Sequence, residues 1–136
     1  MKLLKTILIV DDDEIFVYLT RKAIEQAMIV EEIKVFGNGR DAINFLKENA
    51  GNPHLLPEII LLDLSMPIMD GWQFLEEFHL IKPRVEKKII IYIVTSSISP
   101  EDITRAKSFN EVSDYIIKPI TKQKLIEVVK NIYPGH

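Results

Sequence analysis

The stretch IILLDLSMPIMDGW, residues 59–72, decides the fold. Four apolar residues, Ile59 to Leu62, run directly into Asp63. A short turn-like segment with Pro67 follows, and Asp70-Gly71 stops it. An unbroken apolar run of this kind reads as a strand buried on both faces, as in parallel sheets, because neither face offers polar groups to water. A carboxylate at the C-terminal end of such a strand lies on the rim where open α/β sheets bind ligands. Taken alone, Asp63 reads equally well as the start of a turn, where aspartate is common. The other strand ends separate the two readings.

Outward from this stretch, strand-like and helix-like segments alternate five times. Residues 6–10 form an apolar run stopped by Asp11-Asp12-Asp13-Glu14. Asp12 or Asp13 can cap the next helix, with Phe16, Leu19, Ala23 and Ala27 at helical spacing. Residues 33–36 read as a short strand ended by Gly37-Asn38-Gly39, and Asn38 with Asp41 suits a helix start. That helix takes its apolar side from Ala42, Ile43, Phe45 and Leu46. Gly51, Asn52, Pro53 and Pro57 mark residues 49–58 as a loop. After the central strand, Asp70 and Gln73 have the form of a capping box, opening a helix that carries Phe74, Leu75 and Phe78. Residues 89–94 make a fourth apolar strand ending in Thr95-Ser96-Ser97. Ser99-Pro100-Glu101-Asp102 then opens a helix with a cap, a first-position proline and acids in the first turn. A fifth strand, 115–117, ends in Lys118-Pro119, where a cis peptide would turn the chain sharply. Thr121 caps a last helix that runs to about Tyr133 and closes at Pro134-Gly135. Strands alternating with helices imply right-handed crossovers and a parallel sheet covered on both faces.

The 136 residues amount to one domain, 1–136, with enough chain for a substantial core. A net charge of −3 argues against a general nucleic-acid surface, and the lack of cysteine excludes disulfides and thiolate metal sites. The start, MKLLKTILIV, is too short, is broken by Lys5 and ends in acids, so it reads as a strand and not a signal peptide. No segment reaches the roughly 18 uninterrupted apolar residues of a membrane span. A cytoplasmic protein is the default expectation.

Parallel strands place all their C-terminal ends on one edge. Here that edge receives Asp11, Asp12 and Asp13, then Asp63, Thr95 and Lys118, which are too far apart in the chain for any local turn to gather. In the doubly wound, flavodoxin-like order 2-1-3-4-5, strands 1 and 3 are neighbours, and Asp11, Asp12 and Asp63 converge. Two unit charges 4 Å apart at an effective dielectric of about 20 repel by roughly 4 kcal/mol. Either a proton or a cation must offset this. An all-oxygen donor set favours a hard ion, and Mg²⁺ suits it because it needs few carboxylates and keeps several waters. With the ammonium of Lys118 and the hydroxyl of Thr95, the set has the parts of a phosphoryl-transfer site in which a carboxylate attacks. Each residue also has a plain reading. Asp13 and Glu14 suit a solvated helix start, His54 and His79 are isolated surface residues, and Trp72 suits helix packing.

The pieces ILIVDDD, IILLDLSMPIMDGW, YIVTSS and DYIIKPI resemble a two-component response-regulator receiver domain, the fold of the bacterial chemotaxis regulator, over essentially the whole chain. The resemblance implies that Asp63 accepts the phosphoryl group, and that Asp11, Asp12 and Asp63 hold Mg²⁺ with the backbone carbonyl of Ser65. It implies that Thr95 and Lys118 contact the phosphoryl group and that Tyr115 is the aromatic switch. Ser65 and Ser97 fall where such domains tune phosphoryl lifetime, and Asp13 matches no ligand position. The longer loop after the second helix resembles single-domain regulators paired with phytochrome-type or hybrid kinases.

The expected function is that of a stand-alone phosphoacceptor served by a sensor histidine kinase or a histidine phosphotransfer protein. It signals through helix 4, strand 5 and helix 5 and catalyses only its own phosphorylation and dephosphorylation. The apolar surplus on helix 5 (Ile126, Val129 and Tyr133 beside Leu125, Val128 and Ile132) makes that face a candidate homodimer surface. A small Mg²⁺-dependent aspartyl phosphatase would want an Asp-x-Asp with a following Thr or Val, and a cap insertion. A flavodoxin-like binding module would want Ser, Thr and Gly where this chain has four acids. A receiver-like module that is never phosphorylated would not need the complete set of site residues.

Overall fold

Each apolar run that the pattern marks becomes a strand, and each amphipathic run a helix. In the computed structural model, which describes residues 3–132, the chain runs β1 (Leu4–Val10), α1 (Glu14–Ala27), β2 (Val30–Phe36), α2 (Gly39–Glu48), β3 (Ile59–Leu62) and α3 (Gly71–Ile81). After a 3₁₀ turn at Lys82–Arg84 it continues through β4 (Ile90–Thr95), α4 (Pro100–Lys107), β5 (Val112–Ile117) and α5 (Lys122–Ile132). The five strands form one parallel sheet in the order β2-β1-β3-β4-β5. Val10 pairs with Leu62, and Thr95 with Ile117, so the ends of neighbouring strands are level.

Alternation along the central strands sends side chains to two cores. Leu8, Val10, Ile60, Leu62, Ile91 and Ile93 face α2, α3 and Ala106 of α4. Ile7, Ile9, Ile59, Leu61, Tyr92 and Val94 face α1 and α5. The caps fall where the sequence places them. Asp13, Asn38, Asp70 and Ser99 each accept a backbone N–H in the first turn of their helix, Asp70 and Gln73 complete the capping box, and Thr121 accepts from Lys124 N. The Lys118–Pro119 peptide is cis.

The departures are concentrated at the edges. β2 begins at Val30 and not 33, and β5 at Val112 and not 115. Both are edge strands, whose outer sides tolerate polar residues such as Glu31, Glu32, Ser113 and Asp114, so an apolar run underestimates their length. β1 also starts two residues early, at Leu4. On α1 the buried line is Phe16, Thr20 and Ile24, while Leu19 is 54% exposed. Both lines have helical spacing, and only docking on the sheet chooses between them. On α5, Val129 is 1% exposed and belongs to the core, not to a surface surplus, because α5 packs on α1 as well as on the sheet. Tyr133 and Pro134-Gly135 lie outside the described residues.

Candidate functional site

Three parallel strands deliver the charged groups. Asp11 and Asp12 follow β1, Asp63 follows β3, and Lys118 follows β5. Strand pairing aligns them: Asp63 N donates to Val10 O, Asp11 N to Phe36 O, and Lys118 N to Thr95 O. As a result, carboxylate oxygens of Asp11, Asp12 and Asp63 lie within 4.8 Å of one another. Asp11 and Asp63 are buried and Asp12 is exposed, giving the cluster a dry floor and a wet mouth. Lys118 Nζ stands 2.9 Å from Asp11 Oδ2, 3.5 Å from Asp63 Oδ2 and 3.8 Å from Asp13 Oδ2.

The carboxylates are individually fixed. Asp63 Oδ1 accepts from Leu64 N at 2.9 Å, and Asp11 Oδ1 accepts from Asp13 N at 2.9 Å. Burial raises the Asp11 carboxyl from its ordinary 3.8 to about 6; the Asp13 N–H and the Lys118 ammonium pull it down, and the charge of Asp63 pushes it up. Burial pulls Lys118 downward, but the Asp11 carboxylate, with Asp63 and Asp13 behind it, holds the ammonium above its usual range. Asp11 Oδ2 is buried with no donor aligned on it as a hydrogen bond, although Lys118 is its near ion-pair partner. Three clustered carboxylates and an oxygen lacking a hydrogen bond, with no histidine in the cluster among the described residues and no cysteine in the chain, fit a hard divalent cation. Asp11, Asp12 and Asp63 are the side chains that could hold it.

The loop between β3 and α3 is shaped by two glycines. A Cβ on Gly71 would stand 2.4 Å from Asp63 O, and one on Gly39 would stand 2.7 Å from Met69 O. Gly39 N donates to Met69 O and Gly71 N to Leu64 O, which pins the loop at both ends. Ser65 lies exposed within it. At its tip Ile68 has φ 70°, and Met69 N donates to Pro67 O at 2.7 Å, a tight turn of the strained positive-φ kind.

Thr95 is buried at the end of β4, with Ser97 N 3.4 Å from its Oγ1. Tyr115, half-buried on β5, donates its hydroxyl to Ser97 O at 2.9 Å. Sequence reading missed Phe16 as part of the site. Its ring lies 4.3 Å from the Lys118 ammonium, which therefore sits between carboxylates and an aromatic face. Helical periodicity marks Phe16 only as apolar, and nothing in the sequence announces the lysine above it. Asp13, expected to have no ligand role, caps α1 and reaches Lys118. Away from the site, His54 and His79 are exposed as expected, yet His79 Nδ1 is 3.3 Å from the buried carboxylate of Glu111, which Lys82 also approaches at 3.4 Å. Trp72 packs on Phe109 and under Arg105.

Residues 7–130 match the response regulator receiver domain. The chain belongs to this family. The receiver is 31% identical over 126 residues to the probable methanogenesis regulatory protein FilR2 of Methanothrix harundinacea, a match spanning 93% of this chain and 79% of that one. A two-component response regulator from Cytophaga hutchinsonii has the same fold, with a TM-score of 0.86 and 30% identity over 97% of this chain and 98% of the other. The response regulator Rcp1, solved with Mn²⁺ bound, aligns with a TM-score of 0.72 and 27% identity over 96% and 93% of the two chains. Several other curated relatives are far longer, and the matched region spans between 7% and 33% of them. Among the described residues no helix is long and apolar enough to cross a membrane.

Proposed function

We propose that this receiver takes a phosphoryl group onto Asp63 from the phosphohistidine of a sensor histidine kinase or a histidine phosphotransfer protein, with Mg²⁺ as the ion of the carboxylate cluster. The carrying observation is a buried, backbone-anchored carboxylate, 6% exposed, grouped with two others and faced by one ammonium. A carboxylate oxygen of Asp63 attacks phosphorus, the P–N bond of the donor breaks, and its electron pair stays on the leaving imidazole nitrogen, which takes a proton from water. The product is an acyl phosphate on Asp63. Asp11, Asp12, Asp63 and the Ser65 carbonyl would hold the Mg²⁺, which would supply charge neutralisation for the transferred oxygens. Lys118 and the Thr95 hydroxyl bind those oxygens, and Tyr115 responds as Thr95 is drawn toward them.

Ile15, Tyr18 and Leu19 of α1 are exposed on one side of the helix that leads away from Asp13. An apolar stripe beside an acidic mouth supports a protein donor in preference to a small molecule alone. Self-association through α4, β5 and α5 remains part of the reading, now resting on Ile117, which is exposed, and Ile126, which is half-buried, without Val129.

Incubation with acetyl phosphate and Mg²⁺, followed by intact mass measurement, tests the assignment. One phosphoryl mass is expected, lost in Asp63→Asn and on chelation. Labelling that persists in Asp63→Asn overturns it.

A further inference from the structure

Few contacts decide where α4 rests. The helix has eight residues and fully buries one, Ala106. Apolar packing therefore contributes little to its attachment, and the anchors at its two ends contribute more. At the C-terminal end the Arg105 guanidinium lies 4.4 Å from the Trp72 ring centroid, and Trp72 stacks on Phe109 at 6.2 Å. At the N-terminal end Ser97 Oγ donates to Asp102 Oδ2 at 2.7 Å, a short charge-assisted bond. Ser97 also links β4 to β5. Its carbonyl accepts the Tyr115 hydroxyl at 2.9 Å, and its N–H points to Thr95 Oγ1 at 3.4 Å. One residue thus joins α4 through its side chain, β5 through its carbonyl and the end of β4 through its amide.

We infer that Asp102 is a positioning residue: by accepting the Ser97 hydroxyl it holds the β4–α4 loop in the conformation that seats Tyr115, so that α4, Tyr115 and Thr95 shift as one unit. The Ser97 hydroxyl has a single proton, and Asp102 takes it. Without that carboxylate the Ser97 side chain keeps only the longer contact from Ser99 N at 3.3 Å, so its peptide is held less firmly from the helix side and the Tyr115 hydroxyl loses orientation in its acceptor. Glu101 provides an internal comparison. It too lies in the first turn of α4 and accepts a serine hydroxyl, that of Ser99 at 2.8 Å, but neither Tyr115 nor Thr95 bonds to Ser99. The effect on phosphorylation rests on the phosphoacceptor reading above; the seating of Tyr115 does not.

The test compares NMR spectra of the full chain without phosphodonor: wild type, Asp102→Ala, Asp102→Asn, Ser97→Ala, the Ser97→Ala/Asp102→Ala double variant and Glu101→Ala. Tyr115 ring signals and the Thr95–Ser97 amides should move alike in Asp102→Ala, Ser97→Ala and the double variant. They should move less in Asp102→Asn, whose side-chain oxygen still accepts, and stay in place in Glu101→Ala. Well-dispersed spectra elsewhere verify folding. Unmoved Tyr115 signals in Asp102→Ala, or equal movement in Glu101→Ala, overturn the inference. With acetyl phosphate, Asp102→Ala should be labelled about fivefold more slowly than wild type or Glu101→Ala; an unchanged rate overturns the coupling to the site. A wild type that takes no phosphoryl group overturns the phosphoacceptor reading instead, and the spectra still decide the seating of Tyr115.

Discussion

Asp11 is the residue on which burial and charge most directly oppose each other. A folded-state value near 6 against an ordinary 3.8 means that the metal-free fold favours the protonated carboxyl. That contribution to stability is complete below pH 3.8 and is lost as pH rises through 6. A divalent ion needs the ionised form. Mg²⁺ affinity should therefore fall by about tenfold per pH unit below 6, and the rise in melting temperature at fixed Mg²⁺ should be larger at pH 7.5 than at pH 5. Calorimetric titration across this range checks it; a flat affinity between pH 5 and 7.5 contradicts the raised carboxyl. Ile68 has a different conflict. It is β-branched, sits at φ 70° and is 75% exposed, so its side chain has little packing to offset the strain. Ile68→Asn should stabilise the fold by roughly 1 kcal/mol, read as a higher urea midpoint. The Asp63 labelling rate should be unchanged.

Among the elements, the loop at 49–58 is tied down in part by one lysine that follows α3. Lys87 Nζ donates to Pro53 O at 3.1 Å and Leu56 O at 2.9 Å and forms an ion pair with Glu58. Glu58 Oε1 in turn accepts from Lys5 N at 2.7 Å and Thr6 N at 2.9 Å at the start of β1. Lys87→Met removes the donor from a largely buried carboxylate and two carbonyls. It should cost about 1–3 kcal/mol, seen as a lower urea midpoint with the same slope. This network lies at the N-terminal ends of the strands, and the carboxylate cluster at their C-terminal ends. Mg²⁺ binding should accordingly survive the change, and its loss in a folded variant would show that the two edges are coupled.

For the whole molecule, the proposed function makes the face of α4, β5 and α5 the surface through which a change at Asp63 would reach a partner. Ile117 lies at the end of β5 and Ile126 on α5 with Lys122, Lys124 and Lys130, while Glu101 and Asp102 lie in the first turn of α4. Lys124 already pairs with Asp114 at 3.3 Å and Glu127 at 3.6 Å. A two-fold contact would therefore draw mainly on Lys122 and Lys130 for its charge pairs, together with the two isoleucines. Sedimentation with and without beryllofluoride should show a monomer–dimer shift at tens of micromolar that Ile117→Ser abolishes. An unchanged monomer would reserve this face for another protein.

The gathering of charged residues at the strand ends was readable from sequence because parallel strands leave one edge for all their C-termini. Alternating apolar runs therefore place Asp11, Asp12, Asp63, Thr95 and Lys118 on that one edge. The caps were readable too, since Asn38–Asp41, Asp70–Gln73 and Ser99–Asp102 act within a single turn. Tertiary structure alone decided which stripe of α1 is buried, because Leu19 and Thr20 are both compatible with helical spacing from Phe16. It alone placed Phe16 beneath Lys118 and took Val129 into the core, since those contacts join elements about a hundred residues apart or depend on a second neighbouring helix. The edge strands outran their apolar runs for a related reason: their backbones are held by pairing on one side, whatever their side chains offer to water on the other.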